Sequence, residues 1–176
     1  WAASLSQFSP EHTTFAWPDS PSGPYFTDKP AWDCYGALML WAAYDELKPS
    51  DRLTSAKDRW DSDASYLATL QNDGSKYRHL VANTELWLPV VFDSPFSAPS
   101  PGGNEVIIGS SIRLLAELEC LNESTWRASG TDIENWRHSG AEYDAPLEVS
   151  ARFGFAVFHG LAKQSVSARL PMKLDY

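Results

Sequence analysis

The hydrophobic pattern predicts a central helix between Ala31 and Leu47. Pro30 suits the first turn of this helix, and Pro49 stops it just after Lys48. Projected at about 100° per residue, the apolar side chains occupy nearly the whole circumference of the helix. They are Trp32, Tyr35, Leu38, Met39, Leu40, Trp41, Tyr44 and Leu47. A helix that is apolar on all sides is expected at the centre of a fold.

A second helical pattern, the longest in the chain, has Asp144 as its expected N-cap and Pro146 in its first turn, and Pro171 ends it. Its apolar stripe consists of Leu147, Ala151, Phe155, Phe158, Leu161 and Ala162. The opposite side carries Glu148, Arg152, His159 and Lys163. Gly154 and Gly160 lower the helix propensity of this segment, so we expect a neighbouring element to approach it closely.

The remaining segments predict shorter elements. Residues 50–73 fit one or two short helices, and residues 112–121 fit a helix with Ile112, Leu115, Leu118 and Leu121 on one face. Thr131 and Glu134 have the spacing of a capping box for a further short helix before Gly140. Residues 85–92 and 105–108 are rich in β-branched and aromatic side chains, so we expect two strands that pair as a hairpin.

These elements predict a mainly α (α+β) fold, with a single-domain helical core of about four to six helices and a small β-hairpin near residues 85–108. Residues 1–30 are rich in proline, which rules out a long helix there. Five large rings are interleaved with those prolines, at Phe8, Phe15, Trp17, Tyr25 and Phe26. We therefore expect an N-terminal strap over residues 1–30, packed on one globular domain over residues 31–176.

Composition narrows the choice of partner. The chain has 176 residues, 43% of them hydrophobic, and carries 23 acidic residues against 14 Lys and Arg, for a net charge of -9. This acidity repels phosphate backbones and anionic lipid headgroups, which argues against nucleic acid or a membrane as partner. Cys34 and Cys120 each lie in an apolar helical pattern, so both are expected to be reduced and largely buried. A chain with two reduced cysteines is expected to be cytoplasmic.

The residues that could act in catalysis are explained more simply by structural roles. None of the four histidines has metal-ligand spacing, so no metal, cofactor or catalytic residue is predicted. Ser110 lies between a predicted strand and a predicted helix, as in a nucleophile elbow, but Arg113 stands where that motif needs glycine. N-capping explains this serine. Two alternatives stay open. One is a hydrolase-like enzyme whose site is assembled from distant residues, with His159, His79 and Ser110 as the first candidates, and the other is a small-molecule binding domain lined by the aromatics of residues 31–47.

The strongest functional signal is an acidic segment. Residues 117–148 contain eight acidic residues and two arginines, interleaved with large aromatic rings. Acidic groups around aromatic anchors suit a surface that binds a basic protein, since charge speeds encounter and rings supply affinity. The predicted contact residues are Glu117, Glu123, Trp126, Asp132, Glu134, Trp136, Glu142 and Tyr143. We expect a binding protein that occludes a basic partner such as a toxin, in the manner of immunity proteins.

Overall fold

The computed structural model describes residues 1–16, 26–28, 30–55 and 59–174. The α-helices of these ranges are α1 (Trp32–Leu47), α2 (Ala64–Leu70), α3 (Arg78–Val81), α4 (Ser111–Ser124), α5 (Gly130–Ser139) and α6 (Leu147–Ala168). Short 3-10 helices span Ala2–Gln7 and Trp60–Ser62. The strands are β1 (Leu86–Leu88), β2 (Phe96–Pro99), β3 (Glu105–Ser110) and β4 (Met172–Lys173). The predicted mainly helical α+β fold is confirmed.

Helix α1 is the centre of the fold, as its all-round apolar pattern predicts. Every residue from Cys34 to Asp45 is buried except the half-buried Trp41. The helix packs against α2, α3, α4 and α6. It ends at Lys48, which adopts a left-handed conformation with φ 50°.

Helix α6 lies against α1 at unusually short range. A Cβ atom added at Gly154 would collide with the carbonyl oxygen of Cys34, so glycine allows the two backbones to meet. The rings of Tyr35 and Phe158 stack beside this contact, with centroids 4.9 Å apart. The predicted close approach at Gly154 is therefore confirmed. Neither α6 nor another helix in the described ranges is long and apolar enough to cross a membrane.

The sheet has the strand order β2-β3-β1-β4. Strand β1 runs parallel to β3, with Leu86 opposite Ile108, and antiparallel to β4. The expected hairpin between residues 85–92 and 105–108 is therefore wrong in its pairing. Strand β2, which lies between the two predicted strands, forms the hairpin with β3 instead. Because β2 reverses the chain once more, β3 returns beside β1 in the same direction.

Helix α4 is rotated relative to the face expected from its sequence. Ser110 caps it as predicted, with Oγ accepting a hydrogen bond from the backbone N–H of Arg113 at 3.2 Å. The buried face is made of Ser111, Leu114, Glu117, Leu118 and Leu121, while Ile112 and Leu115 are half-buried. Cys120 follows Leu118 by two positions and so faces solvent. Both cysteines are free and Cys34 is buried, but the expected burial of Cys120 is wrong.

Residues 1–16 cover a second, smaller hydrophobic cluster beside the sheet. The Phe15 ring lies 5.6 Å from the Phe92 ring and 5.7 Å from the Phe96 ring, centroid to centroid. The Glu11 carboxylate accepts a hydrogen bond from the backbone N–H of Asp93 at 2.7 Å. Phe8 is exposed, at 44%. These contacts attach the described N-terminal segment to the body of the fold.

Other parts of the expected strap behave differently. Phe26 is exposed, whereas Trp17 and Tyr25 lie outside the described residues. The division into a strap over residues 1–30 and a domain over residues 31–176 stays a prediction.

Replacing Phe15 by Ala should lower the free energy of unfolding by about 3 kcal/mol, because a buried ring between two others is lost. Phe8→Ala is the matched control and should cost about 1 kcal/mol or less, since that ring is largely exposed. Chemical denaturation of both variants measures the difference. Equal losses would show that residues 1–16 are not held through Phe15.

Candidate functional site

Two predicted anchors, Trp126 and Trp136, form a ring cluster that attaches α5 to the core. Trp126 stacks on Trp41 of α1 with a centroid distance of 5.7 Å and an interplanar angle of 14°. It also meets Trp136 edge-on at 5.5 Å and Phe155 of α6 at 5.4 Å. Both tryptophans are half-buried. Part of each ring therefore packs against other side chains, and part is exposed to solvent.

An ion pair at the edge of this cluster holds the tryptophans in place. The Glu148 carboxylate accepts hydrogen bonds from Trp126 Nε1 at 3.2 Å and from Arg152 Nη2 at 2.5 Å. The Arg152 guanidinium in turn lies over the Trp136 ring, 5.2 Å from its centroid. The charge of Arg152 is therefore compensated by Glu148 in an i,i+4 ion pair and interacts with the Trp136 ring through a cation–π contact.

Exposed carboxylates precede and follow the two tryptophans in the sequence. They lie on α4, on α5 and in the segment that precedes α6. Among the described lysines and arginines, none forms an ion pair with Glu123, Asp132, Glu134 or Glu142. The nearest basic group to Glu134 is His138, with Nδ1 3.6 Å from the carboxylate. We call these four residues, with Trp126, Trp136 and Tyr143, the acidic face.

Several acidic residues elsewhere on the protein are compensated by ion pairs. Asp45 binds both Lys48 and Lys76, Asp73 binds Arg78, and Asp93 binds Arg113. The acidic face thus combines high negative charge with a lack of described cationic partners. Its potential acts outward, on whatever approaches the protein.

Asp132 has a structural role as well as its place on the acidic face. Its Oδ2 accepts hydrogen bonds from the backbone N–H of Ser129 at 2.8 Å and from Ser129 Oγ at 2.6 Å. Ser129 Oγ accepts from the Asp132 N–H, which completes a capping box. The bonds from Ser129 hold the pKa of Asp132 below its usual value. The cap expected at Thr131 and Glu134 is therefore wrong, because α5 begins one residue before Thr131, at Gly130.

Tyr143 is the most exposed large ring of the acidic face, at 82%. It lies between α5 and α6, directly after Glu142. A tyrosine ring can be covered by a partner at a low cost in side-chain entropy and still offers a hydroxyl for hydrogen bonding. Tyr143 is thus the part of the predicted contact set best placed to act as an anchor.

Glu117 does not belong to the acidic face, contrary to the expectation from sequence. The side chain is buried between α4 and α3, where Oε1 accepts from the backbone N–H of His79 and Oε2 from that of Leu80, both at 2.9 Å. It caps the N-terminus of α3 from another helix. Burial raises the pKa of Glu117 to about 8, against the opposing effect of the two N–H donors. In the sequence, this burial is indicated by the position of Glu117 between Leu114 and Leu121 on the same face of α4.

His79 and Ser110 are neighbours, but they do not form a nucleophile and base pair. His79 Nδ1 accepts the backbone N–H of Ser110 at 3.0 Å, and Nε2 lies 3.1 Å from the Asp93 carbonyl oxygen. Ser110 Oγ donates to the Val90 carbonyl at 2.6 Å and is fully buried. Burial lowers the pKa of His79 to about 4, so the ring is neutral and its nitrogens face backbone groups.

The other alternative sites also have packing roles. His159 lies on α6, where its ring stacks on Phe155 with centroids 5.3 Å apart. Tyr44 of α1 is buried, and its hydroxyl donates to Asp63 at 2.8 Å. Within the described ranges, no group of three or more His, Cys, Asp or Glu side chains is placed to hold a metal ion.

Glu117→Gln should flatten the pH dependence of stability between about pH 6.5 and 8. Because the folded-state pKa lies above the ordinary value of 4.5, the stabilisation by protonated Glu117 is full below pH 4.5 and is lost as pH rises through 8. The unfolding free energy of the unaltered protein should thus fall by up to about 1.4 kcal/mol per pH unit in that window. His79 contributes its opposite slope below its ordinary pKa of 6.5.

Chemical denaturation at several pH values between 6.5 and 8 measures this slope. Glu119→Gln, an exposed glutamate on the same helix, is the control and should keep the slope of the unaltered protein. A Glu117→Gln slope that matches the unaltered protein would contradict the assignment.

No protein-family model, curated protein or solved structure matches this chain.

Proposed function

We propose that this chain is a binding protein that sequesters a basic protein partner through the acidic face. The observation that carries the proposal is a set of exposed carboxylates, without a described Lys or Arg ion pair, that alternate along residues 123–143 with partly exposed aromatic rings. Ion-paired carboxylates elsewhere have their charge neutralised locally. The acidic face leaves its charge available for an incoming molecule.

Charge on this face would act mainly during encounter. Like-signed groups around one surface raise the local concentration of an oppositely charged partner and increase the association rate at low salt. The net charge of the whole chain, -9, adds to the attraction. A basic protein is favoured over nucleic acid for the same electrostatic reason.

The aromatic rings would hold the partner after encounter. Trp126 stacks on Trp41, and both Trp126 and Trp136 meet Phe155 edge-on, so the two rings are already ordered before binding. Tyr143 adds a ring that a partner can cover almost completely. A partner with a basic active-site cleft would be inhibited by occlusion, as toxins are by immunity proteins.

Affinity capture from the source cells tests the proposal with three forms of the protein. They are the unaltered chain, a face variant (Glu123→Lys with Glu142→Lys) and a control with the same charge change on the sheet (Glu85→Lys with Glu105→Lys). The proposal expects a basic protein that is retained by the unaltered chain and the control but not by the face variant. Identical sets of proteins on all three forms would contradict it.

The captured partner should associate about tenfold more slowly with the face variant at low salt, because two attractive charges become repulsive. Its association rate should also depend less on ionic strength. Stopped-flow kinetics across a salt series gives both quantities. Asp132 is left unchanged, since its carboxylate caps α5 and its loss would disturb the helix.

Tyr143→Ala should weaken the complex by about 2 kcal/mol, roughly 30-fold in Kd, chiefly through faster dissociation. The exposed ring contributes little to folding, so the denaturation midpoint should hardly move. Val91→Ala, at another exposed apolar residue, is the control and should leave affinity unchanged. An unchanged dissociation rate for Tyr143→Ala would remove this ring from the interface.

A further inference from the structure

A groove of about 230 Å³ lies between α5 and α6. Its lining residues recur at intervals of three and four along both helices, so one face of each helix forms a wall. Gly130, Ala156 and Gly160 keep the groove open, because larger side chains at these positions would project into it. At roughly 30 Å³ per water molecule this volume corresponds to about eight waters, enough for a small organic molecule.

Arg137 presents one end of its guanidinium group to this groove. Nε and Nη2 bind the Asp28 carboxylate at 2.8 and 2.6 Å, which fixes the orientation of the side chain. Nη1 lies 3.2 Å from the position that a Cβ atom would take at Gly160. The guanidinium is therefore held by Asp28 on one edge, while Nη1 points over the glycine in the groove wall.

Lys163 and His159 line the α6 side of the groove. Lys163 is exposed and forms no ion pair with a described carboxylate. His159 is half-buried, and its burial together with the charge of Lys163 lowers the pKa of the ring. The imidazole is thus neutral at pH 7 and able to donate one hydrogen bond. Glu134 supplies the negative charge of the lining.

Asp28 neutralises the charge of Arg137, so Lys163 is the lining cation that has no ion pair with a described carboxylate. We propose that this groove binds a small monocarboxylate, with the carboxylate held by Arg137 Nη1 and Lys163 and the apolar part of the ligand against Ile133 and Ala156. Glu134 disfavours more highly charged anions. The groove shares Glu134 with the acidic face, but its ligand binding does not depend on the protein-binding role proposed for that face.

Acetate and butyrate are the probes, and acetamide is the uncharged control ligand. Backbone ¹H–¹⁵N spectra of the folded protein should show saturable shifts for both acids, confined to residues 130–137 and 156–163, with Kd on the order of 1–10 mM for such small molecules. Butyrate should bind more tightly than acetate, because its chain buries more apolar surface. Acetamide should cause no saturable shift.

Three variants separate a built site from general attraction of anions. Lys163→Gln should weaken acetate binding about fivefold or more, and Glu134→Gln should strengthen it, since each removes one charge of opposite sign from the lining. Lys173→Gln makes the same charge change on β4 and should leave binding unaltered. Absence of saturable shifts with either acid, equal weakening by Lys163→Gln and Lys173→Gln, or an unchanged Kd in Glu134→Gln would overturn the proposal.

Discussion

The close contact between α1 and α6 at Gly154 is the constraint on which the rest of the structure depends. Helix α1 is buried almost all round, so it is stable only when other elements surround it. The absence of a side chain at Gly154 lets α6 approach the carbonyl oxygen of Cys34. Phe158 then reaches the Tyr35 ring, and Phe155, next to the glycine, reaches Trp126 and Trp136. One short contact thus positions two aromatic clusters.

The acidic face is built on the second of these clusters. Trp126 and Trp136 attach α5 to α1 and α6 through ring contacts, and the capping box of Ser129 and Asp132 fixes where α5 begins. Because packing holds the tryptophans, the exposed carboxylates of Glu123, Glu134 and Glu142 need not contribute to folding, whereas Asp132 caps α5. In the proposed function, the charge of these carboxylates attracts the partner during encounter. Helices α5 and α6 also form the walls of the groove that Arg137 and Lys163 line.

The sequence predicted the elements whose pattern of apolar residues or glycines lies within a single segment. It did not predict features that depend on contacts between segments distant in the chain. The all-round apolar pattern of α1 and the glycine of α6 are local signals, and both led to the observed packing. Helix α4 offers two overlapping leucine stripes, and its contacts with α6 and α3 select the one that buries Glu117. The parallel pairing of β1 with β3 depends on β2. The apolar alternation of β2 is short and lies among prolines and serines, so the sequence did not predict this strand. The predicted contact residues other than Glu117 lie at exposed or half-buried positions, because α5 and its flanking segments cover only one side of the core.

Hydrogen–deuterium exchange of the complex with the captured basic partner tests the central claim most directly. The account predicts new protection over residues 119–145, centred on α5 and Tyr143, with little change on the sheet and in residues 1–16. Protection confined to the sheet or to residues 1–16, with unaltered exchange over residues 119–145, would contradict binding through the acidic face.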